Sequence, residues 1–263
     1  MPVNVKKAPS KSRSHNDSSS LERDEQSEDR LRWVASRGCF TLVPFSLLPK
    51  EEILVGEPCF VSYVPNFLNL ADADDVFRRL RDEVPWKRVE DDYGVQDRLT
   101  AYWGDPGCVF AYVGIQCQPE PWHPAAEKVR DKLNATLGTR HGANPITACL
   151  CNNYEDKAGK IDWHFDEMRA HGPAQLVVSV TLGSARRIYL KPRDGKGDDE
   201  VISQLLEPGS AFIMAAETQD HFLHSLPLEP GAGQRIALTF RSIVPGWEEK
   251  YGTTRTGLCT DGK

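Results

Sequence analysis

Beyond about residue 58 the chain changes between two hydrophobic periods. Leu70 to Val84 repeats apolar residues at helical spacing, with Val76, Phe77 and Leu80 on one side. Asp72, Asp74 and Asp75 gather at its start, where acidic groups suit the positive end of a helix, and Pro85 stops it. Ala125 to Leu137 is a second helix by the same rule, its buried face carrying Ala126, Val129 and Leu133. Elsewhere period two dominates. Cys59 to Val64 predicts a strand, and Leu176 to Leu182, apolar on both faces, predicts a central one. Between Arg187 and Lys191, Ile188 and Leu190 alternate with Arg187, Tyr189 and Lys191. Val201 to Leu206 and Ser210 to Ala215 flank the turn signal Pro208-Gly209, and Gln234 to Ile243 is the last strand. Trp86 to Gly114 predicts strands and turns rich in aromatics: Trp86, Tyr93, Tyr102, Trp103, Phe110 and Tyr112. Such a stretch forms either ordinary sheet core or a lid that stacks on a planar substrate. Many strands with short turns, after a helical start, predict a mainly β fold with flanking helices (α+β), a sandwich or jelly roll.

Composition narrows this picture. The 263 residues, 40% hydrophobic, support one substantial core. Residues 1 to about 30 have almost no apolar content and are expected to stay disordered. The expected division is a tail over 1–50, one domain over 51–245 and a second tail over 246–263. Lys6, Lys7, Lys11 and Arg13 form either a solvated basic run or a weak nuclear-import signal. A net charge of −6 excludes a generally basic nucleic-acid binder, so any such contact must come from a local patch. The 7 cysteines are odd in number and irregularly spaced, as for reduced, buried thiols in an intracellular protein. Cys149 and Cys151 are expected to face the core. There is no apolar run of 18 residues and no apolar segment at the N-terminus, so neither a membrane span nor a secretory signal is expected.

The chemistry concentrates between Asn152 and Asp166. In extended chain, Asn152 and Tyr154 share a face. After a turn-like Asp-Lys-Ala-Gly, His164 and Asp166 share one too, with Trp163 and Phe165 pointing the other way. An imidazole and a carboxylate two apart on a strand can grip one metal ion. His224 is the best candidate for a third ligand and His221 competes with it. Two histidines and a carboxylate form the facial triad of non-haem iron(II) oxygenases, which leaves coordination positions open. On the last strand Arg235, Ala237, Thr239 and Arg241 share a face opposite Ile236, Leu238 and Phe240. The two arginines are about 20 Å apart along the backbone, from where long side chains can converge on a short dicarboxylate through paired hydrogen bonds. The alternative is an edge strand with both arginines in solvent.

Taken together, Asn152-Asn153-Tyr154, Trp163-His164-Phe165-Asp166, His224-Ser225-Leu226-Pro227 and Arg235 to Arg241 resemble the AlkB family of iron(II)- and 2-oxoglutarate-dependent dioxygenases. The nucleic-acid demethylase branch is the nearest, and the resemblance covers roughly residues 58–244. It implies a double-stranded β-helix, or jelly roll, with Fe(II) as cofactor and 2-oxoglutarate and O2 as co-substrates. His164, Asp166 and His224 would bind iron. Arg235, with Asn152 and Tyr154, would hold the distal carboxylate of 2-oxoglutarate, and Arg241 the end that chelates iron. The implied activity is oxidative removal of N-alkyl groups, of the 1-methyladenine and 3-methylcytosine type, from DNA or RNA, with release of formaldehyde. The base must leave its stack to react. Leu99 to Asp105 is similar to the family's substrate lid, which brings in Tyr102. Phe110 and Tyr112 would line the pocket, and Tyr93-Gly94 sits where relatives carry a finger that fills the gap left by the flipped base. Arg98, Arg186, Arg187, Lys191, Arg193 and Lys196 are candidates for phosphate contact. A nucleic-acid partner, no membrane, a monomer, and the nucleus rather than the cytoplasm are expected.

Three departures stand against the family pattern. Ala237 occupies a position where members commonly carry Asn that helps hold the co-substrate. Met168 replaces an acidic residue that reads the base's exocyclic amine, and Glu167 is the neighbour that could substitute for it. Asp91 and Asp92 beside the finger repel phosphate. A dioxygenase of the same fold with a protein or small-molecule substrate therefore remains the alternative.

Overall fold

The computed structural model describes residues 52–55, 59–91, 93–112, 114–137, 146–155, 159–166, 176–193, 201–246 and 257–258. The chain opens with β1 (Glu52–Val55), β2 (Cys59–Val64) and helix α1 (Leu70–Glu83). Asn69 caps α1, its side chain accepting the Asp72 N–H at 2.8 Å, and Ala73, Val76 and Leu80 form the buried stripe. The aromatic-rich stretch becomes β3 (Lys87–Asp91), β4 (Gly94–Gly104), β5 (Phe110–Tyr112) and β6 (Ile115–Cys117), followed by helix α2 (Pro124–Leu137). Then come β7 (Ala148–Tyr154), β8 (Ile161–His164), β9 (Leu176–Gly183), β10 (Arg186–Pro192), β11 (Ile202–Leu206) and β12 (Ala211–Ala216). A single helical turn, α3 (Thr218–His221), leads into β13 (Phe222–Leu226), β14 (Arg235–Arg241) and the short β15 (Gly257–Leu258). Periodicity alone did not separate α3 from the strands around it, because four residues are too few to show a period.

Two antiparallel sheets dominate. The major sheet runs β1-β2-β12-β9-β14-β7-β4-β3, and the minor sheet β11-β10-β13-β8. Alternation along the major strands sorts side chains into two layers. Val178, Val180, Leu182, Ile236, Leu238 and Phe240 face one way and join Val76, Leu80, Val129 and Leu133 of α1 and α2 in a buried cluster. Val177, Tyr154, Phe212, Met214 and Ala237 face the other way and meet Ile188, Leu190, Leu206 and Leu226 of the minor sheet. The result is the layered jelly roll that the strand pattern predicts, with helices covering the outer face of the major sheet. β9 is interior, as its two-faced apolarity required. β14 lies between β9 and β7, which excludes the edge-strand alternative for its arginines.

Turns hold the two sheets in register. Gly183 has φ +78°, and a Cβ there would come within 2.6 Å of both the Gln234 carbonyl and the Phe77 ring, so the β9–β10 turn admits only glycine. Cys149 and Cys151 are fully buried on the helix side of β7, as expected, and burial raises both thiol pKa values. No helix among the described residues is long and apolar enough to cross a membrane.

Candidate active site

A cavity of about 110 Å³ opens between the sheets. Its floor is β14, which contributes Arg235, Ala237, Thr239 and Arg241 from alternate positions. β7 adds Leu150, Asn152 and Tyr154, and β9 adds Val177 and Ser179. The minor sheet closes it with His164 and His224, which are direct cross-strand partners in β8 and β13. That pairing explains how residues so far apart in sequence meet: the two imidazole rings lie 4.1 Å apart, centre to centre.

Asp166 completes the group. His164, Asp166 and His224 each present a ligand atom, and these atoms lie within 4.8 Å of one another. The chemistry of these donors suits a divalent cation. Burial lowers the pKa of His164, and burial followed by the neighbouring His164 lowers that of His224 to about 3. Both rings are therefore neutral at physiological pH and keep a lone pair to give. The His164 Nδ1 lies 2.8 Å from the Asp162 carbonyl, which only accepts, so Nδ1 carries the proton and Nε2 is free for metal. Arg241 donates to Asp166 Oδ2 twice, from Nε at 3.0 Å and Nη2 at 2.8 Å. Oδ1, 3.9 Å from the His164 Nε2, faces the imidazole instead. One carboxylate oxygen is thus held by arginine while the other turns toward the histidines. His221, the competitor for the third place, lies on α3 with its Nε2 3.2 Å from Glu217 and is half exposed outside the cavity.

Arg235 lies deeper. It is 2% exposed, Nη2 donates to Thr181 Oγ1 at 2.9 Å, and Nε has no partner. No carboxylate among the described residues lies within ion-pair distance of it. Burial lowers its pKa to about 10, still charged at neutral pH. A buried guanidinium without a counter-ion costs several kcal/mol, and a carboxylate entering the cavity would offset that cost. Its charge sits 5.4 Å from the centre of the Tyr154 ring. Asn152 Oδ1 accepts from Arg98 Nε at 2.8 Å, so Arg98 forms cavity wall.

The family model of the 2OG-Fe(II) oxygenase superfamily matches residues 60–241. The bovine (Bos taurus) alpha-ketoglutarate-dependent dioxygenase alkB homolog 3 is 32% identical over 197 residues, covering 70% of this chain and 66% of that protein. The mouse (Mus musculus) DNA oxidative demethylase ALKBH2 is 31% identical over 188 residues, covering 66% of this chain and 77% of that protein. The chain belongs to the AlkB family of 2OG-Fe(II) oxygenases. It spans just under two thirds of the length of the bovine relative. The solved structure of OsALKBH1 superposes with a TM-score of 0.50 at 19% identity, covering 69% of this chain and 97% of that one, a likeness of fold. Fe(II), 2-oxoglutarate and O2 are the cofactor and co-substrates of this family, and the neutral His pair, the Asp166 carboxylate beside it and the buried Arg235 with its unsatisfied Nε fit them.

Beside the metal group of this AlkB-type cavity the wall is aromatic. Phe110 and Tyr112 line it, stacked 5.5 Å apart, and the Arg241 guanidinium lies 4.5 Å from the centre of the Phe110 ring. Tyr102 stands behind Phe110, buried, with its hydroxyl donating to the Cys108 carbonyl, and does not reach the cavity. Tyr93 is 90% exposed at the β3–β4 tip, outside the cavity. Phe165, expected to point away, lines the rim beneath Arg193, whose guanidinium is 3.9 Å from its centre. Glu167, Met168 and Lys196 lie outside the described residues. Arg186 is a correction: it is fully buried, donating to the carbonyls of Gly159 at 2.8 Å and Pro227 at 2.6 Å, and is closed to phosphate. It shares the inward face of β10 with Ile188 and Leu190. Gln219 escaped the sequence reading altogether; it is buried and accepts the Asp166 N–H at 2.9 Å.

Proposed function

We propose that this protein is an oxidative demethylase that removes N-alkyl groups from the bases of DNA or RNA, converting 2-oxoglutarate to succinate and CO2 and releasing formaldehyde. The observation that carries the reading is one cavity lined by the His164–Asp166–His224 group, the buried Arg235 and the aromatic pair Phe110 and Tyr112. The relatives support the choice of substrate, one of them being named a DNA oxidative demethylase.

In this reading His164, Asp166 and His224 hold the iron. Arg235, with Tyr154 and Asn152, binds the distal carboxylate of 2-oxoglutarate, and its buried charge is balanced when that carboxylate arrives. Arg241 orients Asp166 through its two hydrogen bonds to Oδ2, so the carboxylate would be held in place for the metal. Iron held there would supply O2 activation coupled to decarboxylation of 2-oxoglutarate, by which one oxygen atom would enter a C–H bond of the substrate methyl group and the other the succinate. The resulting hydroxymethyl group breaks its C–N bond to leave formaldehyde and the unmodified base. Phe110 and Tyr112 stack on the extruded base, a contact worth roughly 1–3 kcal/mol, and keep bulk water from the reacting carbon. Arg98 lies at the wall where it can meet the polar edge of the base or a flanking phosphate.

The protein acts as a monomer, and the basic run of Lys6, Lys7, Lys11 and Arg13 supports a nuclear location. The test is formaldehyde release, with mass spectrometry of single- and double-stranded oligonucleotides carrying 1-methyladenine or 3-methylcytosine, in the presence of Fe(II), 2-oxoglutarate and ascorbate. Demethylation that disappears in His164→Ala is the expected result. Succinate produced without any loss of methyl groups would keep the oxygenase and overturn the substrate, leaving a protein or small molecule in its place.

A further inference from the structure

β8 ends at His164, so the Asp166 peptide lies beyond the strand. Its N–H donates to Gln219 Oε1 at 2.9 Å. A peptide nitrogen only donates, so the amide oxygen of Gln219 must face it, and Nε2 then turns to Met214 Sδ at 3.6 Å. Gln219 is 2% exposed and sits on α3, one turn of helix that is too short to be stable alone. Thr218 fastens that turn to the major sheet. Its Oγ1 accepts the Phe60 N–H at 3.1 Å and lies 3.0 Å from the Phe60 carbonyl and 2.6 Å from the Ala215 carbonyl. The Gln219 carbonyl in turn accepts from Arg193 Nη1 at 2.9 Å, and Arg193 covers Phe165. Residues 165 and 166 are therefore gripped by one anchored turn, apart from the hold that Arg241 has on the carboxylate.

We propose that Gln219 is a positioning residue for the metal-binding carboxylate, which sets the affinity of the His164–Asp166–His224 group for a divalent cation. The proposal rests on the reading of those three residues as the metal site. Arg241 fixes the carboxylate end of Asp166 and Gln219 fixes the peptide end. With both ends held, Oδ1 is presented in one place before metal arrives. Without Gln219 the peptide end is released, and the share of the ordering that it supplied must be regained at the moment of binding and is subtracted from the affinity.

The experiment is Mn(II) titration of the metal-free full chain by calorimetry, with Mn(II) as a redox-inert probe, alongside thermal melting. Gln219→Met keeps the length and removes the acceptor; its Kd for Mn(II) should rise about 10- to 100-fold while the metal-free protein stays folded, its melting temperature lowered only as far as one lost buried hydrogen bond requires. Gln219→Glu keeps an acceptor for the Asp166 N–H and adds negative charge, so its Kd should be no weaker than that of the unchanged protein. A Gln219→Met Kd within about threefold of the unchanged protein, or equal losses in both variants, would overturn the proposal. Failure of the unchanged protein to bind Mn(II) would instead sink the metal reading on which it rests. Should Gln219→Met not fold, hydrogen exchange at the Asp166 amide of the unchanged metal-free protein decides. Protection like that of the β13 amides supports the contact, and exchange as fast as in an open chain rejects it.

Discussion

β14 has two faces, and both are buried except at the half-buried Thr239. Ile236, Leu238 and Phe240 are fully buried against the helices, and Arg235, Ala237 and Arg241 are no more than 5% exposed toward the minor sheet. Burial therefore does not distinguish them; completeness does. The helix face is apolar and closed by Val178, Val180 and Leu80. The site face keeps a guanidinium nitrogen without a partner and looks across at two imidazoles of the minor sheet whose pKa values burial lowers. One face is finished when the chain folds, and the other is finished only when ligands arrive. Substitutions on the two faces should separate stability from function accordingly.

The largest effect is expected on the site face. Asp166→Ala removes the oxygen proposed to bind metal and leaves Arg241 without its carboxylate. Formaldehyde release should fall by at least about 1,000-fold, or roughly 4 kcal/mol in barrier terms, while the folded state persists in circular dichroism. Leu238→Ala reverses the pattern. Truncation of a fully buried leucine costs about 2–5 kcal/mol, read as a lower midpoint in urea, while the turnover of the remaining folded molecules stays near normal. Arg235→Met is subtler. A hydrogen bond to a charged partner contributes about 1.5–3 kcal/mol, so the KM for 2-oxoglutarate should rise roughly 10- to 150-fold. The metal-free protein should melt no earlier than before, because a buried, unpaired cation has been removed. A large fall in melting temperature would mean that Arg235 works as core, and the two faces of β14 would not differ in the way described.

The sequence showed this division where alternation was clean. The repeat from Arg235 to Arg241 placed four residues on the cavity side and three on the helix side, and the His164–Asp166 pair was visible at spacing two. The choice of His224 over His221 needed the surrounding His-Ser-Leu-Pro context, since both are near β13 and only pairing with His164 separates them. Arg186 was misread because charge was weighed before period: Ile188 and Leu190 already fixed its face as the inner one. The aromatic run was less legible. Whether Tyr102 or Phe110 reaches the cavity depends on how β4 and β5 pack, and no local period records that. Gln219 was out of reach, because its contact spans 53 residues and joins a backbone atom.

The smallest expected effect tests whether the two faces open together. Cys149 and Cys151 lie on the helix side of β7, buried and with raised pKa values, one strand away from the arginines of β14. A thiol reagent reaches them only when that layer opens, so labelling reports the opening equilibrium. If helix face and site face open as one unit, Mn(II) and 2-oxoglutarate bound between the sheets must slow labelling on the far side. Ligand at about ten times its Kd stabilises the closed state by roughly 1.4 kcal/mol, which slows labelling about tenfold. Unchanged labelling would mean that the helix layer lifts away while the site stays assembled. The finished face would then be the one that opens first, and its stability would lie in the sheet more than in the helices that cover it.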